Sequence, residues 1–252
     1  MTTADTQLIL SVSNRPGNFG RRLYGELFRH LDIDALYLPR RLESPGEFDT
    51  LFDLFLETEV IKGMSVSMPF KQRALVKAQA AKLPCSSEVA INTMVRDGGR
   101  RSAHLTDADI YKRFFATYAQ DARRVLVYGS GAMAALAGVT ATEHGLVTES
   151  IDRNSTPQDV AAIMGATGGR AQPASTLFVN ATPLPRRELP IPYLAFLAFL
   201  DLPVILDDTR DFEGLNGFEA TIIQFSRQAS LYTSTQLDEA FVADLVRIVF
   251  QD

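Results

Sequence analysis

The chain has 252 residues, a hydrophobic fraction of 46% and a formal net charge of −5. This length accommodates one large domain or two small ones, and the apolar content is too high for a disordered chain. The basic dyads Arg40-Arg41, Arg100-Arg101, Arg123-Arg124 and Arg186-Arg187 sit among acidic residues and form no basic run, so a nucleic-acid partner is not expected. A single cysteine, Cys85, can form no internal disulfide, which suits a reducing compartment. The first residues carry Asp5 and no basic-then-apolar leader, so a cytoplasmic protein is expected. The most apolar stretch, 189–206, is broken by Pro190, Pro192, Asp201 and Pro203. It reads as a short buried helix, Tyr193–Leu200, and a strand, Val204–Leu206, rather than a membrane span.

Short apolar runs alternate with helical patterns, which predicts a parallel α/β architecture. Gln7–Val12 reads as the first strand. Phe19, Leu23, Leu27 and Leu31 then recur as on one helix face. Ala35–Leu38 is a second strand, and Phe48, Leu51, Phe52 and Phe55 mark the next helix. Val60–Val66 is a third strand, with Pro69 expected in the first turn of the following helix. Ile91–Val95 is a fourth strand, ending at the Asp97-Gly98-Gly99 turn. Ile110, Phe114, Phe115 and Tyr118 define a helix leading into a second unit. There Val125–Tyr128, Val147–Ile151 and Leu177–Asn180 read as strands, and Ala132–His144 as a small-residue helix. Leu237, Phe241, Leu245 and Ile248 line one face of a last helix.

Gly129-Ser130-Gly131-Ala132-Met133-Ala134 fits G-x-G-x-x-A directly between a strand and a helix. The first glycine permits a tight turn, the second lets backbone approach a pyrophosphate, and the helix N-terminus attracts the anion. A tight turn without a ligand is the plainer alternative. The ribose contact is expected at the end of the next strand, at Asp152-Arg153-Asn154. A carboxylate at Asp152 favours NAD and a guanidinium at Arg153 favours NADP; the sequence leaves both open. Asn180-Ala181-Thr182-Pro183 ends a later strand where a cofactor would pass, although ordinary turn chemistry explains it equally well.

In the first half, Ser65-Val66-Ser67-Met68-Pro69-Phe70-Lys71 takes a strand into a helix that opens on an amine. Lys71 lies where the helix dipole disfavours a cation, and a solvated lysine is the plainer reading. Asp107 follows Thr106 at a helix start, which it could simply cap. Ser13, Ser65, Ser67, Asn92 and Asp107 all fall at or near strand ends, where α/β folds gather ligands. An amine and a carboxylate together could move a proton to or from a hydroxyl. His30 and His144 read as helix-end residues; His104, near Asp107, could line the pocket, with an exposed loop residue the plainer reading. No metal spacing occurs among the three.

In this order the motifs resemble those of the shikimate dehydrogenase family. The segment Ser65 to Lys71 is similar to the family's N-V-T-x-P-x-K, which holds the catalytic lysine. Ala90-Ile91-Asn92-Thr93 resembles A-V-N-T, and Leu105-Thr106-Asp107 resembles N-T-D with its catalytic aspartate. Gly129 to Ala134 resembles the glycine-rich turn, and Asn180-Ala181-Thr182 the N-A-T segment. Gln224, followed by Ser230-Leu231-Tyr232-Thr233, resembles the late glutamine and L-W-T ending. Several motifs depart. Ser13-Asn14-Arg15-Pro16 carries Arg15 where the family has a second serine. Leu105 and Ser65 replace asparagines. Arg153-Asn154-Ser155 scrambles the N-R-T of the NADP phosphate site, and Asp207-Asp208-Thr209-Arg210 lacks the tyrosine and proline of D-x-x-Y-x-P. The stretch from Arg210 to Gly217 is short, so a helix and strand are expected to be missing there.

The resemblance implies a two-domain α/β protein, with a substrate domain at 1–105 plus 222–252 and a Rossmann-type domain at 106–221. It implies an NAD(P)-dependent oxidoreductase acting on shikimate or a related cyclic hydroxy acid, as a monomer or homodimer. Lys71 and Asp107 would be catalytic. Ser13, Arg15, Ser67, Asn92, Asp107 and Gln224 would bind substrate. Gly129, Ser130, Gly131, Ala132, Met133, Asp152, Arg153, Asn180 and Thr182 would bind NADP, or NAD. The alternatives are a quinate-type NAD enzyme and a nicotinamide-binding regulatory protein with little catalysis.

Overall fold

The computed structural model describes residues 3–152, 154–155, 175–189, 196–202 and 212–251. The chain divides into two compact units, Met1–Thr106 with Gln224–Asp252, and Asp107–Ile223.

The first unit is built on a five-stranded sheet of order β2-β1-β3-β4-β5. Strands β1 (Gln7–Ser13), β2 (Ala35–Arg41) and β3 (Ile61–Val66) run parallel, while β4 (Thr93–Asp97) and β5 (Arg100–His104) are antiparallel. The crossovers that parallel strands require are helical. Helix α1 (Phe19–His30) buries Leu23, Tyr24, Leu27 and Phe28. Helix α2 (Pro45–Glu57) starts at Ser44, whose Oγ accepts from the Glu47 N–H, while Glu47 Oε2 accepts from the Glu43 N–H. Pro45 fits that first turn because its missing donor is not needed there. Phe48, Phe52 and Phe55 then enter a core with Met64, Phe70 and Met94. Gly63 is required by packing, since a Cβ there would overlap the Tyr232 ring.

Three local expectations change. Helix α3 (Lys71–Ala80) begins at Lys71, so Pro69 lies in the preceding turn rather than in the helix. Strand β4 begins at Thr93; Ile91 and Asn92 form the segment entering it. Strand β5 was not foreseen, because Arg-Arg-Ser-Ala-His has no apolar alternation; its pairing with β4 makes it a strand.

The second unit has a parallel sheet of order β10-β9-β8-β6-β7. It comprises β6 (Arg124–Tyr128), β7 (Val147–Ile151), β8 (Thr176–Asn180), β9 (Ala198–Asp201) and the short β10 (Gly214–Leu215). Helix α4 (Ala108–Tyr118) opens the unit, and α5 (Ala132–Glu143) joins β6 to β7. The helix expected at Tyr193–Leu200 is corrected: residues 198–200 are in β9, a strand whose residues are all buried. A strand buried on both faces is a continuous apolar run, which helix and strand share. Residues 193–195, Val204–Leu206 and the Asp207-to-Arg210 segment lie outside the described residues. A penultimate helix, Gly217–Thr233, and a last helix, Glu239–Gln251, complete the chain. Among the described residues no helix is long and apolar enough to cross a membrane, and no cluster of His, Cys, Asp and Glu could hold a metal.

Candidate functional site

In the first unit the polar residues collect at the carboxyl edge of the parallel strands. Ser13 ends β1, and its Oγ accepts from the Arg15 N–H at 3.1 Å, leaving its own proton to donate. The Arg15 side chain is exposed. Past the end of β3, Ser67 donates its N–H to the Val12 carbonyl and accepts from the Phe70 N–H. Lys71, half-buried, opens α3, and its carbonyl accepts from the Ile91 N–H at 3.1 Å. That bond seats Asn92 beside the lysine-bearing turn. The Val66 N–H donates to the Asn92 carbonyl at 2.7 Å, tying the same segment to β3.

Beneath this edge lies a buried polar network. Asn92, 4% exposed, accepts at Oδ1 from three donors: Thr93 Oγ1 at 2.9 Å, the Thr106 N–H at 2.9 Å and Thr106 Oγ1 at 3.1 Å. Gln224 Nε2 donates to Thr106 Oγ1 at 3.1 Å. Gln228 Nε2 donates to Thr93 Oγ1 at 2.7 Å, and Gln228 Oε1 accepts from the Tyr24 hydroxyl at 2.9 Å. Ser65 and Tyr232 share a 2.8 Å hydroxyl contact. Burial pushes the Tyr24, Tyr37 and Tyr232 phenols above their ordinary value, so they remain protonated donors at neutral pH.

Gln228 and Tyr24 were not foreseen. The signal for Gln228 was its spacing, four residues after Gln224 and so on the same helix face. Tyr24 gave none, being one apolar-face residue among several. His104 is corrected: it ends β5, half-buried, with its ring nitrogen 2.8 Å from Ser102 Oγ, and is not an exposed loop residue.

Asp107 begins the second unit, at the N-cap position of α4, and makes no side-chain cap bond to that helix. It is buried, and its charge adds to burial in raising the Tyr111 phenol. Tyr111 donates to the Met133 carbonyl at 2.8 Å, fixing α4 to the turn that starts α5.

That turn has the geometry of an anion cradle. Gly129 has φ +137°, a conformation side chains rarely adopt, and a Cβ there would come 3.1 Å from the Ala181 carbonyl. Above Gly131, the N-cap of α5, a Cβ would meet nothing within 4 Å, so backbone is open to approach. No side chain caps α5, and no acidic residue lies in its first turn. The N–H groups there are therefore available to an anion. Ser130 is exposed, and Ala132 and Met133 are half-buried at the helix start.

Asp152 Oδ1 accepts from the Asn154 N–H at 2.8 Å and stands 3.4 Å from Ser155 Oγ, within a tight turn after β7. Arg153 lies outside the described residues. Asn180 is fully buried and spent internally. Its Nδ2 donates to the Leu184 carbonyl at 2.8 Å and to Asp201 Oδ1 at 2.9 Å, and its Oδ1 accepts from the N–H and hydroxyl of Thr182. Asp201, likewise unforeseen, was signalled by being the lone charge within 189–206. Burial raises its carboxyl to about 6, against the opposing effects of the Asn180 bond and the Arg186 charge.

No family model matches the chain. It is 29% identical over 135 residues to a shikimate dehydrogenase-like protein of Haemophilus influenzae, a match covering 53% of this chain and about half, 48%, of that protein's length. A solved shikimate 5-dehydrogenase-like protein superposes with a TM-score of 0.74 at 24% identity, covering 99% of this chain and all of the other. The shikimate 5-dehydrogenase of Listeria monocytogenes, solved with shikimate and NAD, gives 0.70 at 18% identity over 97% of this chain and 98% of its own. The fold is thus that of the shikimate dehydrogenases, a mixed α/β unit and a Rossmann-like one. The chain shares this fold along nearly its whole length and resembles a shikimate dehydrogenase-like protein in sequence over about half of it.

Proposed function

We propose that the chain is an NAD(P)-dependent oxidoreductase that interconverts a cyclic hydroxy acid and its ketone, shikimate and 3-dehydroshikimate or a close relative. The observation that carries this reading is the joining of the Lys71 turn to the Asn92 segment at a sheet edge crowded with hydroxyl and amide groups.

The residues present fit a dinucleotide. Open backbone at Gly131, an uncapped α5 without acidic residues in its first turn, and the left-handed Gly129 together suit a pyrophosphate. Gly129, Ser130, Gly131, Ala132 and Met133 would hold the phosphates and Asp152 the ribose. Asn180 would act on the cofactor only by shaping the Ala181–Leu184 loop, with Thr182 part of the same bonded turn. When bound, the nicotinamide supplies the hydride chemistry.

Lys71 would exchange the hydroxyl proton. In reduction it gives a proton to the developing alkoxide oxygen, and in oxidation it takes one from the hydroxyl. Asp107 would be the second catalytic residue, as the resemblance of Leu105-Thr106-Asp107 to the family's motif implies. Ser13, Ser67, Asn92 and Gln224 would bond the ring substituents, and the exposed Arg15 would meet the carboxylate. The binding of shikimate and NAD by the Listeria enzyme supports this substrate and cofactor class.

The test is the absorbance change on mixing the protein with NAD or NADP and either shikimate or quinate. Turnover with one pair is expected. Cofactor binding without turnover on either acid would favour the regulatory reading instead. A quinate-type NAD enzyme has one specific point in its favour: the Asp152 carboxylate after β7, with one oxygen beyond the Asn154 bond left for a ribose hydroxyl. An Asp152→Ala variant that keeps its cofactor preference would remove that support.

A further inference from the structure

We propose that Gln228 is a positioning residue: held by Tyr24, it sets the hydrogen-bond directions around Asn92 so that Asn92 offers a ligand its carboxamide nitrogen and no acceptor. The substrate atom that meets Asn92 is then an acceptor oxygen, of a carboxylate, a carbonyl or a hydroxyl lone pair.

The directions follow from one backbone group. The Thr106 N–H can only donate, so the Asn92 atom 2.9 Å away is the carbonyl oxygen, and the amide orientation is settled. The Thr106 hydroxyl, spending its proton on the same oxygen, accepts from Gln224 Nε2. The Thr93 hydroxyl also donates to Asn92 Oδ1 and so needs a donor behind it. Gln228 Nε2 supplies that bond at 2.7 Å. Gln228 in turn must present Oε1 to Tyr24, whose buried phenol donates at 2.9 Å. Each member has one consistent role. Asn92 Nδ2 is left over: it has no hydrogen-bond partner among the described residues, on a residue that is 4% exposed. An amide that is buried, oriented and half-satisfied in this way is poised for a ligand.

The proposal rests on the reading of this edge as a substrate site, and its test separates the two. In a ¹H–¹⁵N spectrum the Asn92 side-chain amide pair is identified by its loss in Asn92→Ala. Gln228→Met, of similar shape but unable to donate, should move that pair and leave the Asn180 pair unchanged. In the turnover assay with shikimate, the same variant should raise KM about tenfold, the scale of one neutral hydrogen bond, with kcat and cofactor affinity little altered. Thr93→Val breaks the same chain, so the double variant should shift KM no further than the larger single effect. Should Gln228→Met fail to fold, Tyr24→Phe removes only a hydroxyl and should move the Asn92 pair in the same sense. An unmoved Asn92 pair in a folded variant overturns the proposal, and so does a moved pair with an unchanged KM for shikimate in an active enzyme. If the wild type turns over neither shikimate nor quinate, the dehydrogenase reading fails while the amide result still decides the role of Gln228.

Discussion

Asp201 shows what burial does to one side chain. It ends β9 with 2% of its surface exposed, holding the Asn180 amide that organises the next loop. Desolvation raises its carboxyl to about 6, against an ordinary value of 3.8. A carboxyl whose folded value lies above its unfolded one keeps its proton longer in the native state, so its contribution to stability falls as pH rises from about 4 to about 6. Asp201→Asn retains a carbonyl oxygen for Asn180 and carries no charge. It should melt at a higher temperature than the wild type at pH 7, with the gap closing as pH falls to about 4. Equal melting temperatures across that range would contradict the burial argument. The sequence showed Asp201 as a lone charge in an apolar run but not its partner Asn180, which is distant in sequence and meets it through β8–β9 pairing.

Elements with a clear apolar pattern were legible: β1, α1 and α2 stand where that pattern put them, and α5 where a small-residue run follows the glycine turn. What local pattern could not supply came from pairing. β5 is a strand because β4 holds it, and β9 is one because β8 and β10 flank it. The penultimate helix was visible only as separate motif residues, Gln224 and Tyr232, because its buried polar side chains blur an amphipathic stripe. The packing of this helix on the sheet carries a sharp expectation. Gly63 in β3 leaves no room for a Cβ beside Tyr232, and the same atom would lie 3.0 Å from the Met94 carbonyl. Gly63→Ala should therefore lose about 1–3 kcal/mol in denaturant unfolding, the usual cost of overpacking. A loss below about 0.5 kcal/mol, as for an exposed surface change, would show that the helix yields easily.

At the scale of the whole chain, the order of the motifs carried more than any one of them. The glycine turn, the Lys71 turn, the Asn92 segment and Gln224 are each ordinary alone. The fold brings the last three into one unit, around a shared network, and builds the glycine turn into a separate nucleotide-type sheet. Asn180, in contrast, read from sequence as a cofactor contact, has its carboxamide consumed by its own loop and by Asp201 at the end of β9, which only the three-dimensional bonding reveals. The central claim is that this arrangement transfers a proton through Lys71 during dehydrogenation. Its most direct test compares turnover of wild type and Lys71→Ala on shikimate and quinate at saturating cofactor, with cofactor affinity measured alongside. Turnover should fall by about 10²–10⁴-fold in the variant while cofactor affinity holds. A variant that keeps its rate within a few-fold of an active wild type would remove Lys71 from the chemistry and contradict the account.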